Sequence, residues 1–335
     1  MKYIFGPVSS RRLGLSLGVD LFKGFKLCSM NCVYCEAGKT LLLSSVRMSV
    51  ADPDEVLREL LAFKEVDFEY ITFSGTGEPT LSLEIEDVAR GIKKLFPDKK
   101  LCLLTNATFL SPEIAKLFDL IIPSLDATDE RVFGRVNRPA WGIDLETVME
   151  NIISAAAYSS AEFWIEILIV KGINDKPEHF SRIAEVVQKA AVKNANIKNI
   201  QHGKILSPIT KIQIGTVSRL PAESVFSSEA RTLVNIAKYI ESQLDKLSDK
   251  IQPPTVEIIS RIYKSQNIDK TELEKKLFEI SIRRRLALSE ACSTFGTSAA
   301  VIRKVVKYSP RLDLTVFDGE EFIIAVPTSD DTAPH

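Results

Sequence analysis

Short apolar runs alternate with longer amphipathic stripes over the first two thirds of the chain. The short runs have the length and residue content of strands, and they cover residues 17–22, 70–74, 100–105, 120–125, 163–170 and 197–206. Most are followed by apolar residues at helical spacing, as in Ile85, Val88 and Ile92. Strands that alternate with helices in this way indicate parallel βαβ units. Periodicity leaves two α/β architectures open, a doubly wound open sheet and a barrel.

Local signals predict where several helices and loops begin. Asp52 before Pro53 and Ser111 before Pro112 have the chemistry of N-caps with proline at the first helical position. Residues 5–14 are rich in Gly, Pro and Ser, and this composition indicates a loop.

The pattern changes after Pro253-Pro254. Before these prolines, residues 222–247 predict an amphipathic helix. Beyond them the chain predicts the start of a helix, two short helices and two strands, at residues 256–262, 286–295, 298–308, 312–317 and 320–326. Asp318-Gly319, between the two strands, is a strong signal for a two-residue hairpin. Helix, helix–turn–helix and hairpin in this order indicate a winged-helix arrangement.

These changes predict a division of the chain into units. The expected units are an α/β domain at 1–220, a connecting helix and proline linker at 221–253, a winged-helix-like domain at 254–327 and a disordered tail at 328–335.

Composition and charge exclude several classes of protein. The chain has 335 residues, 45% of them hydrophobic and 26% charged, which is ordinary for a globular protein. We find neither an apolar run of membrane-spanning length nor a signal-peptide pattern, and we therefore expect a cytoplasmic protein with no membrane partner. The net charge is −1, but residues 254–310 carry eleven Lys or Arg against six acids. A local basic face is therefore possible.

Three of the five cysteines lie within eight residues, at Cys28, Cys32 and Cys35. Thiolates prefer zinc, copper(I) or iron–sulfur clusters, and clustered cysteines in a reducing compartment indicate metal chemistry. A structural zinc site and a 4Fe–4S cluster each ordinarily take four protein ligands. The other cysteines, Cys102 and Cys292, are distant in sequence. A cluster held by three thiolates would leave one iron open for chemistry. The alternatives are a zinc site with a distant fourth ligand and three unrelated thiols.

The spacing Cys-x3-Cys-x2-Cys, with the aromatic Tyr34 before the third cysteine, resembles the motif of the radical SAM superfamily. The resemblance implies that the three cysteines each bind one iron of a 4Fe–4S cluster, and that S-adenosylmethionine chelates the fourth iron. It also implies a six-unit partial TIM (β/α)6 barrel with the site at the carboxyl ends of the strands. The implied activity is reductive cleavage of S-adenosylmethionine to a 5′-deoxyadenosyl radical that abstracts hydrogen from a substrate.

A second segment carries the same resemblance. Gly75-Thr76-Gly77-Glu78-Pro79 follows the second predicted strand and is similar to the superfamily's Gly-Gly-Glu-Pro motif, in which the glutamate binds the ammonium group of the methionine moiety. Thr105-Asn106 resembles the superfamily's Thr-Asn-Gly segment, with Ala107 in place of glycine. The other residues implied to contact the cofactor are Tyr34, Ser124, Asp126 and Ser207. The alternative for the residues at strand ends is capping of the helices that follow.

Five further residues are candidates for contact with substrate. Glu166 lies within an apolar strand, where an unpaired acid is costly, so it either meets a ligand or pairs with a barrel cation. Arg138 and one residue of the Arg11-Arg12 pair are suited to binding a carboxylate or phosphate, and the alternative for the pair is that both side chains are solvated. His202 is either catalytic or a hydrogen-bonded structural residue. Glu166 and Arg138 are the catalytic candidates.

The first 220 residues resemble most closely the stand-alone oxidoreductases similar to wyosine-synthesis enzymes. This implies an oxidoreductase or transferase with a low-potential electron donor of the ferredoxin or flavodoxin type, and it admits RNA as a substrate. Arg283-Arg284-Arg285 and the basic residues Arg303, Lys304 and Lys307 make a nucleic-acid interface possible, although a lid or protein-interaction role for the second domain is favoured. The alternative function is a non-catalytic, cluster-sensing regulator that binds nucleic acid.

Overall fold

The computed structural model describes residues 1–10, 12–199, 204–259 and 270–326. Its strands are β1 Ile4–Ser10, β2 Gly14–Val19, β3 Leu27–Cys28, β4 Leu42–Leu43, β5 Tyr70–Phe73, β6 Lys100–Thr105, β7 Leu120–Pro123, β8 Glu162–Ile169, β9 Ile205–Leu206, β10 Ile209–Thr216, β11 Ile251–Gln252, β12 Thr255–Ile258, β13 Leu286–Ala287, β14 Leu312–Phe317 and β15 Glu320–Ala325. Its α-helices are α1 Pro53–Leu60, α2 Ile85–Leu95, α3 Pro112–Ala115, α4 Glu130–Val136, α5 Leu145–Tyr158, α6 Ile183–Ile197, α7 Ala230–Leu244, α8 Lys270–Ser281, α9 Leu288–Thr294 and α10 Ala299–Tyr308. Short 3₁₀ helices cover Leu61–Phe63, Pro79–Leu81 and Pro177–Phe180.

One eight-stranded sheet organises the larger part of the molecule, in the order β1-β2-β5-β6-β7-β8-β10-β12. The pair β1–β2 is antiparallel and the other neighbours are parallel. The predicted α/β class with parallel βαβ units is therefore confirmed. Because parallel strands end at the same edge of a sheet, the loops after β2, β5, β6, β7 and β8 lie close together.

Apolar side chains explain why these segments pack as they do. In α2, Ile85, Val88, Ala89 and Ile92 recur at helical spacing, and all four are buried against the sheet. The Asp52 side chain accepts hydrogen bonds from the backbone at the start of α1, as the predicted N-cap requires. No helix within the described ranges is both long and apolar enough to span a bilayer.

Two edge strands were not predicted. Residues 5–14 were expected to form a loop, but Ile4–Ser10 forms β1, with an irregularity in its pairing between Phe5 and Val8. Pro7 lies in that irregularity, where its missing N–H costs no ladder bond. At the other edge, residues 256–262 were expected to begin a helix, whereas Thr255–Ile258 is β12. Residues 260–262 lie outside the described part.

The sixth strand of the prediction was also misplaced. Residues 197–206 were expected to form it, but α6 continues to Ile197, and Ile205–Leu206 pairs with β11 in a separate two-stranded sheet. The strand that joins the large sheet is β10, Ile209–Thr216. The helix expected at 222–247 begins at Ala230. His202 and Arg11 lie outside the described residues.

The C-terminal segment forms a small antiparallel sheet in the order β13-β15-β14, with α8, α9 and α10 around it. The predicted hairpin is present, and Asp318 and Gly319 both adopt the positive φ that its turn requires. The helix expected at 286–295 begins instead as β13, and α9 follows at Leu288. Val8 of β1 packs against the apolar core of this segment. The predicted domain boundaries stay predictions.

Candidate functional site

A cavity of ≈ 310 Å³ opens at the carboxyl ends of the parallel strands. Cys28, Cys32 and Cys35 line it from the loop after β2, and Arg283 and Arg284 line it from the C-terminal segment. The three cysteines that are adjacent in sequence therefore share one enclosed space with strand ends that come from distant parts of the chain.

Each cysteine sulfur accepts a hydrogen bond from a different part of the chain. The donors are Met30 N at 3.5 Å and Asn106 Nδ2 at 3.6 Å to Cys28, Asn137 Nδ2 at 3.4 Å to Cys32, and Lys26 Nζ at 2.7 Å to Cys35. Hydrogen bonds to sulfur and local positive charge tune the potential of an iron–sulfur cluster and orient its ligands. Lys26 and Asn137 were not predicted. Lys26 lies only two residues before the first cysteine, but Asn137 meets Cys32 through the fold alone.

The donor set distinguishes a cluster from a single metal ion. Among the described residues, no three side chains of Cys, His, Asp or Glu converge closely enough to hold one ion. A 4Fe–4S cluster needs wider spacing, because each cysteine binds a different iron atom. Burial raises the pKa of the Cys28 thiol to about 11, and nearby Lys26 opposes that shift. Iron binding to this site would therefore release thiol protons. The residues present fit a cluster better than they fit zinc.

Cys102 does not belong to this group. Its side chain is fully buried in β6, where it packs with Leu120, Ile122 and Trp164. It has the small apolar role that buried free cysteines usually have.

Glu78 is a buried carboxylate at the wall of the cavity. Its Oε1 accepts hydrogen bonds from Thr80 N at 3.0 Å, Thr80 Oγ1 at 2.6 Å and Thr105 Oγ1 at 2.6 Å, while its Oε2 accepts one from Asn106 N at 2.7 Å. Burial raises the pKa of Glu78, and the hydrogen bonds from Asn106 and Thr105 oppose the rise. The four bonds fix the orientation of the carboxylate. Since a carboxylate oxygen has about two acceptor positions, Oε2 can accept one more donor.

Only glycine fits at positions 75 and 77, because neighbouring atoms lie close to the backbone there. Gly75 has a φ of +114°, and a Cβ added there would lie 2.5 Å from the side chain of Asp20. A Cβ on Gly77 would lie 2.1 Å from the carbonyl oxygen of Leu27. Substitution at either position would displace the loop that carries Glu78.

A second buried carboxylate, Asp126, connects the cysteine loop to the strand ends. It accepts hydrogen bonds from Tyr34 Oη at 2.5 Å, Asn137 Nδ2 at 2.7 Å and Leu168 N at 2.8 Å. Asn137 therefore contacts both Asp126 and the sulfur of Cys32. Asp126 itself does not line the cavity, but it positions Tyr34 and Leu168, which do.

The other residues implied to contact the cofactor fall into two groups. Tyr34, Thr105, Asn106 and Ser124 line the cavity, as do Gly75, Gly77 and Glu78. Pro79 begins the 3₁₀ helix behind Glu78, and the hydroxyl of Ser207 accepts a hydrogen bond from Ile209 N. Neither Pro79 nor Ser207 lines the cavity.

The two catalytic candidates lie in different surroundings. Glu166 lines the cavity and forms an ion pair with Arg12, which also lines it. Arg138 has positive φ and forms a two-bond ion pair with Glu223 on the surface. Arg138 does not line the cavity.

The C-terminal arginines turn inward. Arg283 is 3% exposed, and its Nε lies 3.4 Å from the buried Asp20 carboxylate. Asp20 also accepts hydrogen bonds from Thr76 of the glycine loop, at 3.1 and 3.0 Å. Arg285 contacts the cysteine loop directly, since its N–H donates to the carbonyl oxygen of Glu36 over 3.3 Å.

A buried carboxylate, Glu290 of α9, fastens the C-terminal segment to the α/β part. It accepts hydrogen bonds from Arg219 Nε and Nη2, each at 3.1 Å, and from Arg284 Nη1 at 3.1 Å and Nη2 at 2.5 Å. Arg219 also pairs with Glu36, the residue after Cys35. The segment thus closes one side of the cavity through charge-assisted bonds. The roles of Asp20, Arg219 and Glu290 were not predicted, because only the fold brings Asp20 to Arg283 and Arg219 to Glu290.

Comparisons with known proteins indicate the family. The family model described as "Radical SAM superfamily" matches residues 23–185. A UPF0026 protein of Helicobacter pylori strain J99 is 32% identical over 206 residues, which cover 60% of this chain and 67% of that protein. A protein of Brachyspira hyodysenteriae named GTPase Obg is 35% identical over 196 residues, 56% of this chain and 28% of that protein. The chain thus spans only part of the length of the curated relatives it matches.

One solved structure supports the fold alone. The radical SAM methyltransferase from Sphaerobacter thermophilus is similar with a TM-score of 0.51 and 13% identity, over 72% of this chain and 66% of that chain. At this identity the likeness shows a shared arrangement of helices and strands.

Proposed function

The chain belongs to the radical SAM superfamily and to the family of UPF0026 proteins, and on that premise we propose that it cleaves S-adenosylmethionine reductively and abstracts hydrogen from a substrate in the cavity. The superfamily's cofactors are a 4Fe–4S cluster and S-adenosylmethionine. When bound, they supply a 5′-deoxyadenosyl radical, and the protein supplies binding, orientation and shielding from water.

The proposal rests on the cysteine loop and its donors. Cys28, Cys32 and Cys35 would hold the cluster, and Lys26 and Asn137 would stabilise negative charge on two of the three sulfurs. Lys26 is 7% exposed, so its ammonium acts where solvent screens it little. Burial lowers the pKa of Lys26, but nearby Cys35 and Cys28 outweigh burial and raise it, so the ammonium stays charged.

The glycine loop would hold the methionine moiety. Glu78 Oε2 has room for an ammonium donor beside its bond from Asn106 N, and a carboxylate–ammonium contact is among the stronger hydrogen bonds. Gly75 and Gly77 let the backbone approach closely. Tyr34, Ser124 and Asp126 would complete the cofactor site, Asp126 by positioning Tyr34. Pro79 and Ser207 do not line the cavity and would support the backbone behind its wall.

Substrate would bind beyond the cofactor, between the strand ends and the C-terminal segment. Arg12 and Glu166 face this space as an ion pair, which a substrate with its own charged groups can open. We propose Glu166 as a substrate-contacting residue. Arg138 is occupied by Glu223 at the surface, and the geometry supports no catalytic role for it.

The narrower predictions have less support. A wyosine-type oxidoreductase or transferase with an RNA substrate stays a prediction, as does a partial barrel of six units with a winged-helix domain. A nucleic-acid-binding regulator would need a free basic face, but Arg283 and Arg284 pair with Asp20 and Glu290 inside the molecule. Arg303 pairs with Glu321. A lid role for the C-terminal segment is the better-supported reading.

One experiment tests the proposed activity. Protein reconstituted with iron and sulfide under anaerobic conditions is incubated with dithionite and S-adenosylmethionine, and 5′-deoxyadenosine is measured by chromatography. We expect product from the wild type and from Cys102→Ala, which removes a buried cysteine outside the loop. We expect none from Cys35→Ala. Equal product from both variants, or none from cluster-loaded wild type, would reject the proposal.

A further inference from the structure

Five large apolar side chains are exposed beside the cysteine loop. They belong to Phe25, Leu41, Leu42, Leu43 and Val46, and we refer to them as the apolar patch. Leu41 is 70% exposed and Val46 is 62% exposed. A single exposed leucine needs no explanation, but several within one short segment mark an interaction surface.

The apolar patch lies directly against the residues that would hold the cluster. Leu42–Leu43, as β4, pairs with Leu27–Cys28, as β3, and the N–H of Ser44 donates to the carbonyl oxygen of Cys28 over 3.0 Å. Neighbouring strands are about 4.8 Å apart, so the backbone of the patch is one strand spacing from that of Cys28. The N–H groups of Leu41 and Leu42 both donate to the carbonyl of Lys26, whose ammonium contacts Cys35.

The charge of the segment that carries the patch is one-sided. Residues 21–50 contain four Lys or Arg and one acid, Glu36. Lys23 and Lys39 are exposed within this segment, whereas Glu36 is paired with Arg219. An apolar centre with a cationic rim is complementary to an acidic protein that has an apolar contact of its own.

An exposed tryptophan flanks the same loop on another side. Trp141 is 94% exposed, and the preceding Ala140 donates its N–H to the carbonyl oxygen of Ser29 over 2.9 Å. Tryptophan is among the residues that contribute most to protein–protein affinity when they become buried. Two segments with exposed apolar side chains therefore hydrogen-bond to consecutive backbone carbonyls of the cysteine loop. The segment of the apolar patch bonds to Cys28, and the segment before Trp141 bonds to Ser29.

We propose that the apolar patch is the docking site of a small, acidic, one-electron carrier protein that reduces the cluster. This inference rests on the proposed function, since only a redox centre needs such a partner. In each encounter the reduced carrier loses one electron and the cluster gains one. Electron-transfer complexes are small and transient, burying less than about 1,200 Å² in total, and a patch of five side chains with two lysines suits that size. The short path from the patch to Cys28 and Lys26 favours this occupant over a second copy of the chain.

The test separates the route of the electron from the chemistry it drives. The double variant Leu41→Glu/Leu43→Glu places two negative charges in the patch, and Leu61→Glu is the control. Leu61 and Leu43 are both 45% exposed, but Leu61 follows α1 and lies outside the segment that carries the patch. The full chain is used in each case. The probe is a purified bacterial flavodoxin in its fully reduced form, and a bacterial ferredoxin serves as the second carrier.

Three quantities are measured for each protein. They are the Kd for the carrier, the carrier-driven rate of 5′-deoxyadenosine formation and the dithionite-driven rate. We expect the double variant to raise the Kd and lower the carrier-driven rate at least about tenfold, with the dithionite-driven rate unchanged, because dithionite needs no docking surface. The control should match the wild type. Higher salt should weaken carrier binding to the wild type by screening Lys23 and Lys39.

Several results would overturn the docking site. These are an unchanged Kd in the double variant, an equal loss in the control, or no binding of either carrier to the wild type. A wild type that sediments as a dimer, with a double variant that is monomeric but binds the carrier normally, would assign the patch to a second copy. If dithionite produces no 5′-deoxyadenosine, the proposed function fails, and the Kd values still decide the docking site.

Discussion

Replacing Glu290 by Gln should release the C-terminal segment from the mouth of the cavity. Glu290 is fully buried and accepts four hydrogen bonds from Arg219 and Arg284, whose side chains are 12% and 15% exposed. The substitution preserves the shape of the side chain but removes the counter-charge of the largely buried Arg284, while Arg219 keeps its pair with Glu36. Removing one partner of a buried pair costs about 3–5 kcal/mol, and the slight exposure of the arginines places the expected loss near about 3 kcal/mol. That loss increases the open fraction roughly a hundredfold, since about 1.4 kcal/mol is tenfold in an equilibrium.

Hydrogen exchange measured by mass spectrometry gives the readout. Peptides that cover Leu288–Thr294 should exchange about a hundredfold faster in Glu290→Gln than in the wild type, if they exchange through undocking. Glu321→Gln is the matched control, because Glu321 also pairs with an arginine, Arg303, but on the surface. An exposed pair contributes about 0–1 kcal/mol, so exchange in the control should change little. Similar exchange rates in the two variants would refute the claim that Glu290 fastens the segment.

Three further predictions follow from the same geometry. Glu78→Gln should raise the Kd for S-adenosylmethionine at least about tenfold in equilibrium dialysis, without loss of iron, because the charge that faces the ammonium is removed. Asn137→Leu should lower the cluster's reduction potential in an EPR redox titration by up to roughly 60 mV, since a hydrogen bond of about 1.5 kcal/mol to sulfur is lost. Acid should undock the C-terminal segment: burial raises the pKa of Glu290, but Arg219 and Arg284 outweigh burial and lower it. Because the pKa of Glu290 is lowered in the docked state, its charge stabilises docking fully above the ordinary carboxyl pKa, near about 4.3. This stabilisation is lost as the pH falls below that value. Hydrogen-exchange measurements over a pH series check the loss.

The candidate metal site could be predicted from local motifs. Cys28, Cys32 and Cys35 lie within one turn-rich segment, and the chemistry of three thiols there needs no knowledge of the fold. Glu78 could also be predicted from the sequence, because it follows an apolar strand in a short glycine-containing loop. The residues that donate hydrogen bonds to the cysteine sulfurs were harder to predict. Asn137 lies 105 residues from Cys32, and only the packing of α4 against the cysteine loop brings the two together.

The fold was predictable where apolar runs are compact. Tyr70–Phe73 and Lys100–Thr105 were located correctly because each is a compact, mainly apolar run, most of which becomes buried. Strand β10 was missed because Lys211 and Gln213 interrupt its pattern, whereas the apolar residues near Ile197 belong to the last turn of α6. Edge strand β1 contains glycine and proline, which are ordinary loop signals.

Charge patterns were the least informative part of the sequence. Arg283-Arg284-Arg285 has the composition of a nucleic-acid patch, yet Arg283 and Arg284 have buried acidic partners. Asp20 lies far from Arg283 in the chain, and Glu290, although six residues from Arg284, becomes its buried partner only through tertiary packing. The sign of a charged segment is readable from sequence, but the direction in which it points is decided by tertiary packing.

The EPR spectrum of the reduced cluster, recorded with and without S-adenosylmethionine, tests the central claim most directly. The claim is that Cys28, Cys32 and Cys35 hold a 4Fe–4S cluster and leave one iron open to the cofactor. We predict the signal of a reduced 4Fe–4S cluster that shifts when S-adenosylmethionine is added, and no such signal once the three cysteines are replaced by alanine. A cluster signal that is indifferent to S-adenosylmethionine, or one that survives the triple substitution, would contradict the account.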